Sequence, residues 1–326
     1  MNMGPSNPDT AASRRSVGIV LGDPQGIGPE IALKAACALA AQADAPRPLL
    51  IGDAYIVDRC AEQLGLSSDM RARYGVFDVG ALRREDWRPG QVDAKAGEAT
   101  VRYVEAALQL WRRGEVAAIA AGPHSETAVN AAGIRFSGYS GLLADLMGVP
   151  RERHFLMLEA CGLHIVHATL HERLADALAR LDPSLVEAAA LAAHATLRRL
   201  GAADPSVCLL GINPHAGENG LFGDDDERIN RPALARLRDA GLRAEGPIGA
   251  DLALAERRHD CYVAMFHDQG HIAVKMLSPK GATAIVAGAP VLFASVGHGA
   301  AFDIAGKGHA DAAAMAGTVK LLAEAA

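Results

Sequence analysis

The sequence has few of the features that would direct a chain to a membrane or to nucleic acid. Half of the 326 residues are hydrophobic, yet no uninterrupted apolar run is long enough to span a bilayer. The net charge is −6 and no Lys/Arg-rich run occurs, which argues against nucleic acid because phosphates favour a basic patch. These absences predict a soluble, cytoplasmic protein with no membrane or nucleic-acid partner.

Cysteine is also scarce, and its number is odd. The five cysteines are widely spaced and each lies in an apolar segment: Cys37, Cys60, Cys161, Cys208 and Cys261. This pattern argues against a disulfide framework or a zinc ribbon, and it predicts buried thiols in a reducing compartment.

The chain length suits two domains, each with a core of its own. Residues 1–14 are polar and lack the apolar region of a signal peptide, so they are predicted to form a disordered tail. The remaining sequence alternates short β-rich apolar runs with longer Ala/Leu-rich stretches of helical periodicity. Such alternation predicts an α/β fold with a largely parallel sheet.

The predicted elements follow from these runs. Strands are predicted at 17–22, 48–53, 116–122, 154–159, 163–169, 207–213, 262–267 and 291–296. Helices are predicted over 99–114, 183–201 and 231–241, each ending near a glycine or a basic residue. The polar segment 83–97 is predicted to be a surface excursion.

A glycine-rich stretch, GDPQGIGPE (22–30), joins the first predicted strand to a helical run. Backbone N–H groups at a helix N-terminus attract anions, which suggests a phosphate site. The glycine spacing matches neither the dinucleotide fingerprint nor the P-loop, however. Pro29 and Glu30 suit a first helical turn, but Glu30 also puts an anion where a phosphate would sit. A phosphate cradle and a tight structural turn both remain open on spacing alone.

Three of the twelve histidines are predicted to lie where strands end. His171 follows IVHATL, with His167 and Thr169 expected on the same face of that strand; His215 lies in GINPHAGENG, and His267 ends YVAMFH. Ligands of α/β sheets bind beyond the carboxyl ends of strands. Three imidazoles delivered there suit a divalent metal with open positions for water or substrate. Three unrelated loop histidines are the alternative.

A second glycine-rich segment, GHGAAFDIAGKGHAD (297–311), follows the last predicted strand. Its glycines allow the backbone to approach a flat, polar ligand closely. On its own it is equally compatible with a glycine-rich turn.

Together, four segments resemble the 4-hydroxythreonine-4-phosphate dehydrogenase (PdxA) family: GDPQGIGPEI, GINPHAGENGLFGDDD, YVAMFHDQGHIAVK and SVGHGAAFDIAGKG. The resemblance implies the α/β fold of isocitrate and isopropylmalate dehydrogenases, with two α/β domains flanking a cleft. It places the NAD-side domain at 15–130 plus 284–326, and the metal, substrate and dimerisation domain at 131–283. It also implies that GDPQGIGPE is a structural, cleft-lining turn.

The resemblance carries functional residues onto this chain. The metal ligands of the family, which hold one divalent ion (Zn, Co, Mg or Mn), fall on His171, His215 and His267. The catalytic positions fall on Lys275, which also binds substrate, and on Asp251. The family works as a homodimer that shares the metal between subunits, which implies an active site at the dimer interface.

The cofactor positions follow from the last of the four segments. In the family, NAD binds along this loop without a Rossmann domain. The corresponding cofactor-binding residues are His298, Gly299, Asp303, Ile304 and Gly306.

Several substrate positions depart from the family pattern. Tyr139 and Ser140 replace His-Thr, Ala284 and Phe293 replace the Asn and Arg that serve a phosphorylated substrate, and Glu126 replaces a lysine. An Arg pairs with phosphate through two charge-assisted bonds, which Phe cannot replace. These departures resemble the branch of the family that oxidises carboxylated cis-dihydrodiols of the terephthalate type. Tyr139, Ser140 and Phe293 are then expected to contact the ring of the substrate.

The sequence therefore predicts an NAD- and metal-dependent dehydrogenase. It is expected to oxidise a hydroxyl next to a carboxylate-bearing carbon, with loss of CO₂, on a carboxylated cis-dihydrodiol. The first alternative is a phosphorylated acid, either 4-hydroxythreonine 4-phosphate or threonate/erythronate 4-phosphate, with Arg135 as a further cation. A phosphotransacetylase-like acyltransferase and a non-catalytic metal-binding protein are further alternatives.

Overall fold

The computed structural model describes residues 16–42, 45 and 47–325, and the disordered tail predicted at residues 1–14 lies outside them. The described chain forms two compact units. The first comprises the residues up to Gly138 together with those from Val291 onward, and the second comprises Tyr139–Pro290.

The strands, in chain order, are β1 (Val17–Val20), β2 (Leu49–Gly52), β3 (Gly75–Asp78), β4 (Ala118–Ala121), β5 (Phe155–Ala160), β6 (Leu163–His167), β7 (Val207–Leu210), β8 (Ala244–Ile248), β9 (Cys261–Ala264), β10 (Thr283–Ala287) and β11 (Leu292–Val296). The α-helices are α1 (Gly28–Ala40), α2 (Ala54–Gln63), α3 (Ser68–Arg71), α4 (Ala94–Arg112), α5 (Glu126–Ala131), α6 (Tyr139–Met147), α7 (Leu174–Arg180), α8 (Pro183–Arg199), α9 (Arg231–Asp239), α10 (Ala250–Glu256), α11 (His267–Leu277) and α12 (Ala313–Ala325).

The strands of the first unit run in the order β3-β2-β1-β4-β11, and each adjacent pair is parallel. Strands β1 and β4 are buried along their whole length, so the core lies on both faces of this sheet. Helix α1 begins directly after the GDPQG turn, with Pro29 in its first turn, where the missing N–H of proline costs no hydrogen bond.

The strands of the second unit run in the order β10-β5-β6-β9-β7-β8. Strand β5 is antiparallel to both of its neighbours, whereas β6, β9, β7 and β8 pair in parallel. Since β6, β9 and β7 are adjacent and parallel, their carboxyl ends lie at one edge of the sheet. The chain after each of these ends carries one of the predicted metal histidines.

The mixed α/β class predicted from the alternation is confirmed, and each of the eight predicted strand segments contains a strand. The strand ends differ from those predicted. Strand β9 stops at Ala264, and His267 begins helix α11 instead of ending the strand. Strand β6 stops at His167, so Thr169 and His171 follow it and do not continue its alternation.

Two further predictions needed correction. Cys161 is exposed and Cys37 is half-buried, so only the other three cysteines are buried thiols. Segment 83–97 lies mostly at the surface, as predicted, but residues 94–97 already form the first turn of helix α4. Within the described residues, no helix combines the length and apolarity needed to cross a bilayer.

Candidate functional site

The second unit brings the predicted metal histidines to one edge of its sheet. His171 lies in the loop after β6, His215 in the turn after β7, and His267 at the start of α11 after β9. The order β6-β9-β7 makes the three segments neighbours, although they are far apart in sequence. This edge is where α/β sheets bind their ligands.

Four imidazoles, which we call the histidine cluster, lie together here: His167, His171, His267 and His271. The ring centroids of His171 and His267 are 5.6 Å apart. The rings of His267 and His271 are stacked, with centroids 3.7 Å apart and planes inclined by 12°. His267, His271 and Lys275 recur every four residues on α11, so they share one face of that helix.

The His267 ring is held in one tautomer by its neighbour. Its Nδ1 lies 2.7 Å from Asp268 Oδ1. A carboxylate accepts this hydrogen bond, so the proton lies on Nδ1 and the lone pair of Nε2 remains available. Carboxylate-paired imidazoles of this kind are the usual ligands of protein-bound metals.

The other two members of the cluster lie deeper in the unit. Burial lowers the pKa of His167 to about 3, and the charge of His271 adds to the shift. Burial likewise lowers the pKa of His271 to about 4, with His267 as the next cause. Both rings are therefore neutral near pH 7, which suits imidazoles that lie against one another.

His215 lies in an unusual backbone segment. Residues 215–219 all have positive φ, between 42° and 84°, although only Gly217 lacks a Cβ. Left-handed backbone costs about 1 kcal/mol or more for each residue with a side chain, so the surrounding structure must hold the turn. Buried Asp226 does so at its base, where its carboxylate accepts the N–H groups of Ile212 and Asn213 at 2.9 and 3.0 Å.

His215 lines an open groove of about 390 Å³, which we call the His215 groove. Its walls are formed by Gly211, Ile212, Asn213, Pro214, His215, Gly249, Ala250, Asp251, Phe266, Asp268, Gln269 and Ile272. Asp251, the predicted catalytic acid, is exposed at its rim. Gln269 joins two walls, because its amide donates to the Gly211 carbonyl and accepts the Met265 N–H, both at 2.7 Å. The volume suits a small organic acid.

The residues present fit a divalent metal in their chemistry. With metal–nitrogen bonds near 2 Å, two imidazoles on one ion have ring centroids roughly 5 Å apart, close to the separation of His171 and His267. In the described part of the chain, however, no group of three or more His, Cys, Asp or Glu side chains is arranged to hold a metal. His171 and His267 are thus close enough together to bind one ion. His215 instead lines the groove that Asp268 also lines.

Lys275 is half-buried on α11, and this burial lowers the pKa of its ammonium. Its charge contributes to the lowered pKa of His271, which places it near the histidine cluster. A lysine of lowered pKa can exchange a proton near neutral pH more readily than an exposed one.

The predicted substrate-contacting residues are less open than the sequence suggested. Phe293 is completely buried in β11, and Tyr139 is only 4% exposed at the start of α6. Both rings are packed inside the single chain, and their contact with a substrate ring stays a prediction. Ser140 and Ala284 are half-buried, and Glu126 begins α5.

The predicted cofactor loop lies in the first unit and is anchored by the GDPQGIGPE turn. The carboxylate of Glu30 accepts the N–H groups of Gly308 and Ala310 at 3.1 and 2.8 Å. Lys34 pairs with Glu30 and donates to the carbonyls of the same two residues. Gly26 has no room for a side chain, because a Cβ there would lie 2.7 Å from Ala300. Gly26 therefore serves packing against this loop.

The loop itself presents polar and backbone groups. Its predicted cofactor residues are His298, Gly299, Asp303, Ile304 and Gly306, of which Gly299, Asp303 and Gly306 are exposed. The Gly306 carbonyl accepts a hydrogen bond from Gln63 at 2.5 Å. Gly306 also has φ +70°, and a Cβ there would meet Pro89 at 2.9 Å. A glycine is therefore needed at this point of the loop.

Sequence reasoning missed four residues that support the site: His271, Asp268, Gln269 and Asp226. The HDQGH spacing contains a signal for His271, because a residue four positions after His267 lies on the same face of a helix. No local pattern marked Asp226, since its partners Ile212 and Asn213 precede it by more than ten residues.

The chain is similar to several known proteins. Residues 44–322 match the family model described as pyridoxal phosphate biosynthetic protein PdxA. A curated relative from Comamonas sp., 1,2-dihydroxy-3,5-cyclohexadiene-1,4-dicarboxylate dehydrogenase, is 46% identical over 94% of this chain and 97% of its own. D-threonate 4-phosphate dehydrogenase from Cupriavidus necator is 39% identical over 90% and 92%. The solved terephthalate 1,2-cis-dihydrodiol dehydrogenase from Burkholderia xenovorans LB400 is 48% identical, with a TM-score of 0.71 over 95% and 97%. The chain therefore belongs to the PdxA family.

Proposed function

We propose that this protein is an NAD- and divalent-metal-dependent dehydrogenase that oxidises a carboxylated cis-dihydrodiol with loss of CO₂. The observation that carries the proposal is the position of three imidazoles after three neighbouring parallel strands, one of which, His215, lines a groove of small-molecule size. The 46% identity to a dihydrodiol dicarboxylate dehydrogenase supports the substrate class. Family membership supports the dehydrogenase activity.

His171, His215 and His267 are the residues that would hold the metal. Such an ion supplies Lewis acidity to the hydroxyl and carboxylate oxygens of the substrate. Asp268 keeps the Nε2 lone pair of His267 available by accepting the Nδ1 proton. The strained turn at residues 215–219 fixes the direction of the third imidazole.

Lys275 and Asp251 are the proton-transfer and substrate-binding groups of the proposal. Burial lowers the pKa of Lys275, so its amine can take the proton of the substrate hydroxyl while a hydride leaves the carbon that bears this hydroxyl. In its protonated form, the same side chain can hold a substrate carboxylate. Asp251 lies at the rim of the His215 groove, where its carboxyl group can donate a proton to the enolate oxygen that forms as CO₂ leaves.

The reaction balances in atoms and electrons. A hydride passes from the hydroxyl-bearing carbon to NAD, and the resulting ketone lies β to a carboxylate. The carbon–carbon bond to that carboxylate then breaks, releasing CO₂ and leaving its electron pair on the ring. A ring that already has two double bonds becomes an aromatic catechol, and this aromatisation drives the second step.

The dinucleotide is proposed to lie along Gly297–Gly308. The exposed backbone of this loop is held by Glu30 and Lys34, so it can present N–H and carbonyl groups in a fixed arrangement. His298 and Asp303 are assigned to the adenosine half. The nicotinamide supplies the hydride acceptor of the reaction.

The phenylalanine at position 293 favours a non-phosphorylated substrate. The residue there is a fully buried phenylalanine in place of the family's arginine, so no guanidinium is available at that point of β11. Ala284 likewise offers no side-chain hydrogen bond. A phosphate dianion without charged donors is strongly disfavoured when it loses water.

We also propose a homodimer whose active site is completed at the interface. Ile272, an exposed apolar side chain, lines the His215 groove, and the ring centroid of exposed Phe222 lies 6.3 Å from that of His215. Leu221 and Leu252 are exposed next to Phe222 and Asp251 in sequence, and Met276 is exposed four residues after Ile272 on α11. Met276 is 79% exposed and Leu221 is 72% exposed in the single chain. Exposed apolar side chains in and beside a groove are typical of a surface that a second subunit covers.

A substrate panel tests the proposal. NADH formation at 340 nm would be followed for protein loaded with Zn²⁺, Co²⁺, Mg²⁺ or Mn²⁺, with a chelator-treated sample as the control. We expect metal-dependent turnover of the cis-dihydrodiol of terephthalate and little turnover of phosphorylated hydroxy acids. Equal or faster turnover of the phosphorylated acids would refute the substrate assignment.

The second candidate is a 4-phosphate dehydrogenase, which the 39% identity to the D-threonate 4-phosphate enzyme favours. Such an enzyme would need a cation for the phosphate at a position other than 293. Arg135 is exposed, and its substitution can test whether it is this cation. A large loss of activity in Arg135→Ala with D-threonate 4-phosphate, and none with the cis-dihydrodiol, would support it.

A further inference from the structure

His271 and His167 have no role in the function proposed above, yet they form the best-defined part of the histidine cluster. His271 Nδ1 lies 3.0 Å from His167 Nε2 and 3.3 Å from the carbonyl oxygen of His267. His167 Nδ1 lies 3.2 Å from the Leu156 carbonyl. These contacts run from the interior of the unit to the predicted metal ligand.

The acceptors in this chain decide where each proton lies. Because the Leu156 carbonyl can only accept, His167 carries its proton on Nδ1. A neutral His167 then has only a lone pair on Nε2, which must accept from His271 Nδ1. The His267 carbonyl also requires a proton on His271 Nδ1, so two independent acceptors specify the same tautomer.

His167 and His271 are packed closely together inside the fold. His167 is only 1% exposed, so it has no water to replace a lost partner. Gly270, one residue before His271, makes the approach possible, because a Cβ at that position would lie 2.4 Å from His167 Nε2. Any larger residue at 270 would push the two imidazoles apart.

We propose that His271 is a positioning residue, anchored by His167, that fixes the His267 ring by stacking against it so that its Nε2 faces the metal. The inference rests on the proposed metal role of His267. One face of the His267 ring lies against His271 at 3.7 Å, and its Nδ1 is tied to Asp268. Rotation about the side-chain bonds of His267 breaks the stack, the Asp268 bond, or both.

The tautomers of His167 and His271 can be measured in the metal-free protein. Long-range ¹H–¹⁵N spectra of protein labelled with ¹⁵N in its histidine rings distinguish protonated from bare ring nitrogens. His167→Gln and His271→Asn assign the two signals by their loss. We expect both rings to be neutral, with protons on Nδ1 and bare Nε2 atoms. A proton on Nε2 of His271 overturns the proposal, and no metal or activity enters this measurement.

Metal affinity tests the stack. Co²⁺ would be titrated against a competing chelator into the full-length wild type, His271→Leu and His271→Phe, with His194→Leu as the matched control. His194 lies on α8, where its charged neighbours are Arg198 and Asp204, and not in the cluster. Loss of an outer-shell partner lowers metal affinity by about 10- to 100-fold, which is the loss expected for His271→Leu.

His271→Phe keeps an aromatic face against His267 but cannot donate to His167, so its loss should be the smaller of the two. The visible spectrum of bound Co²⁺ should change in His271→Leu and remain as in wild type in His194→Leu. Affinity in His271→Leu equal to that of wild type overturns the positioning role, and so does a Phe variant as weak as the Leu variant. If wild type itself binds no Co²⁺, the proposed metal function fails. The inference then fails because His267 holds no metal, and not because His271 does not position it.

Discussion

Asp268 accepts a hydrogen bond from the Nδ1–H of His267 at 2.7 Å, although the two residues are adjacent in sequence. The Asp268 side chain is 73% exposed, so the pair is no buried ion pair that stabilises the fold. Its consequence is directional, because it leaves Nε2 as the only lone pair of the His267 ring. A residue that contributes little to stability therefore decides what the imidazole can bind.

Asp268→Ala should weaken metal binding without unfolding the protein. Loss of the carboxylate leaves the tautomer of His267 unspecified, and we expect a loss of about 10- to 100-fold in Co²⁺ affinity. Asp268→Asn, whose carbonyl oxygen can still accept from Nδ1, should lose less. Competition titration against a chelator measures both. An Ala variant with wild-type affinity would show that Asp268 does not orient His267.

Substitution of two of the proposed metal ligands tests whether they come from one chain. The ring centroids of His171 and His267 are 5.6 Å apart within a single chain. Mixed dimers of His171→Ala and His267→Ala subunits should therefore remain inactive, because each half-site lacks one member of the pair. NADH formation after verified subunit exchange is the measurement. Recovery of activity would mean that the two ligands at a working site belong to different subunits.

Glu30 should control affinity for the dinucleotide and not for the substrate. Its carboxylate accepts two N–H groups of the predicted cofactor loop, so Glu30→Gln removes a charge-assisted anchor. We expect the KM for NAD to rise about tenfold while the KM for substrate changes little. Glu187→Gln, on the surface of α8 in the other unit, is the control. Equal increases in both KM values would assign Glu30 to general stability instead.

Asp23 should make stability depend on pH. Burial raises the pKa of this carboxyl from 3.8 to about 6, with Asp93 as a smaller contributor. Because the folded state holds the proton more tightly, this contribution to stability is full below about pH 4 and is lost as the pH rises through 6.

Asp23→Asn keeps an oxygen that can accept the Gln25 N–H but carries no charge. Relative to wild type, its free energy of unfolding should improve by up to about 3 kcal/mol between pH 4 and pH 8. Urea unfolding at the two pH values measures the difference, with exposed Asp239→Asn as the control. A difference that does not change with pH would refute the raised pKa.

The strands that could be predicted are those with continuous apolar runs, such as β1 and β4, which are buried on both faces. Three strands were missed, and two of them, β3 and β8, lack this signal, whereas β10 has an apolar run and was not predicted. In β3, exposed residues alternate with half-buried ones, and β8 contains a Gly-Pro pair and is only half-buried. Their strand state depends on pairing with β2 and β7, which no local pattern contains.

The candidate site likewise has residues that could be predicted from the sequence and residues that could not. His171, His215 and His267 could be proposed from loop positions and resemblance, because each follows a recognisable apolar run. The partners of the cluster could not, since the contact of His271 with His167 joins residues 104 positions apart. The burial of Phe293 was missed because its substitution suggested an open ring site, whereas position 293 lies inside a strand that is buried along its whole length.

Product analysis tests the central claim most directly. Purified, metal-loaded protein would be given NAD and the cis-dihydrodiol of terephthalate, and NADH, CO₂ and the aromatic product would be measured in the same reaction. The account predicts equimolar NADH, CO₂ and 3,4-dihydroxybenzoate, with formation of all three abolished in His267→Ala. NADH without CO₂ would contradict the coupled decarboxylation, and no turnover of this diol beside rapid turnover of D-threonate 4-phosphate would contradict the proposed function itself.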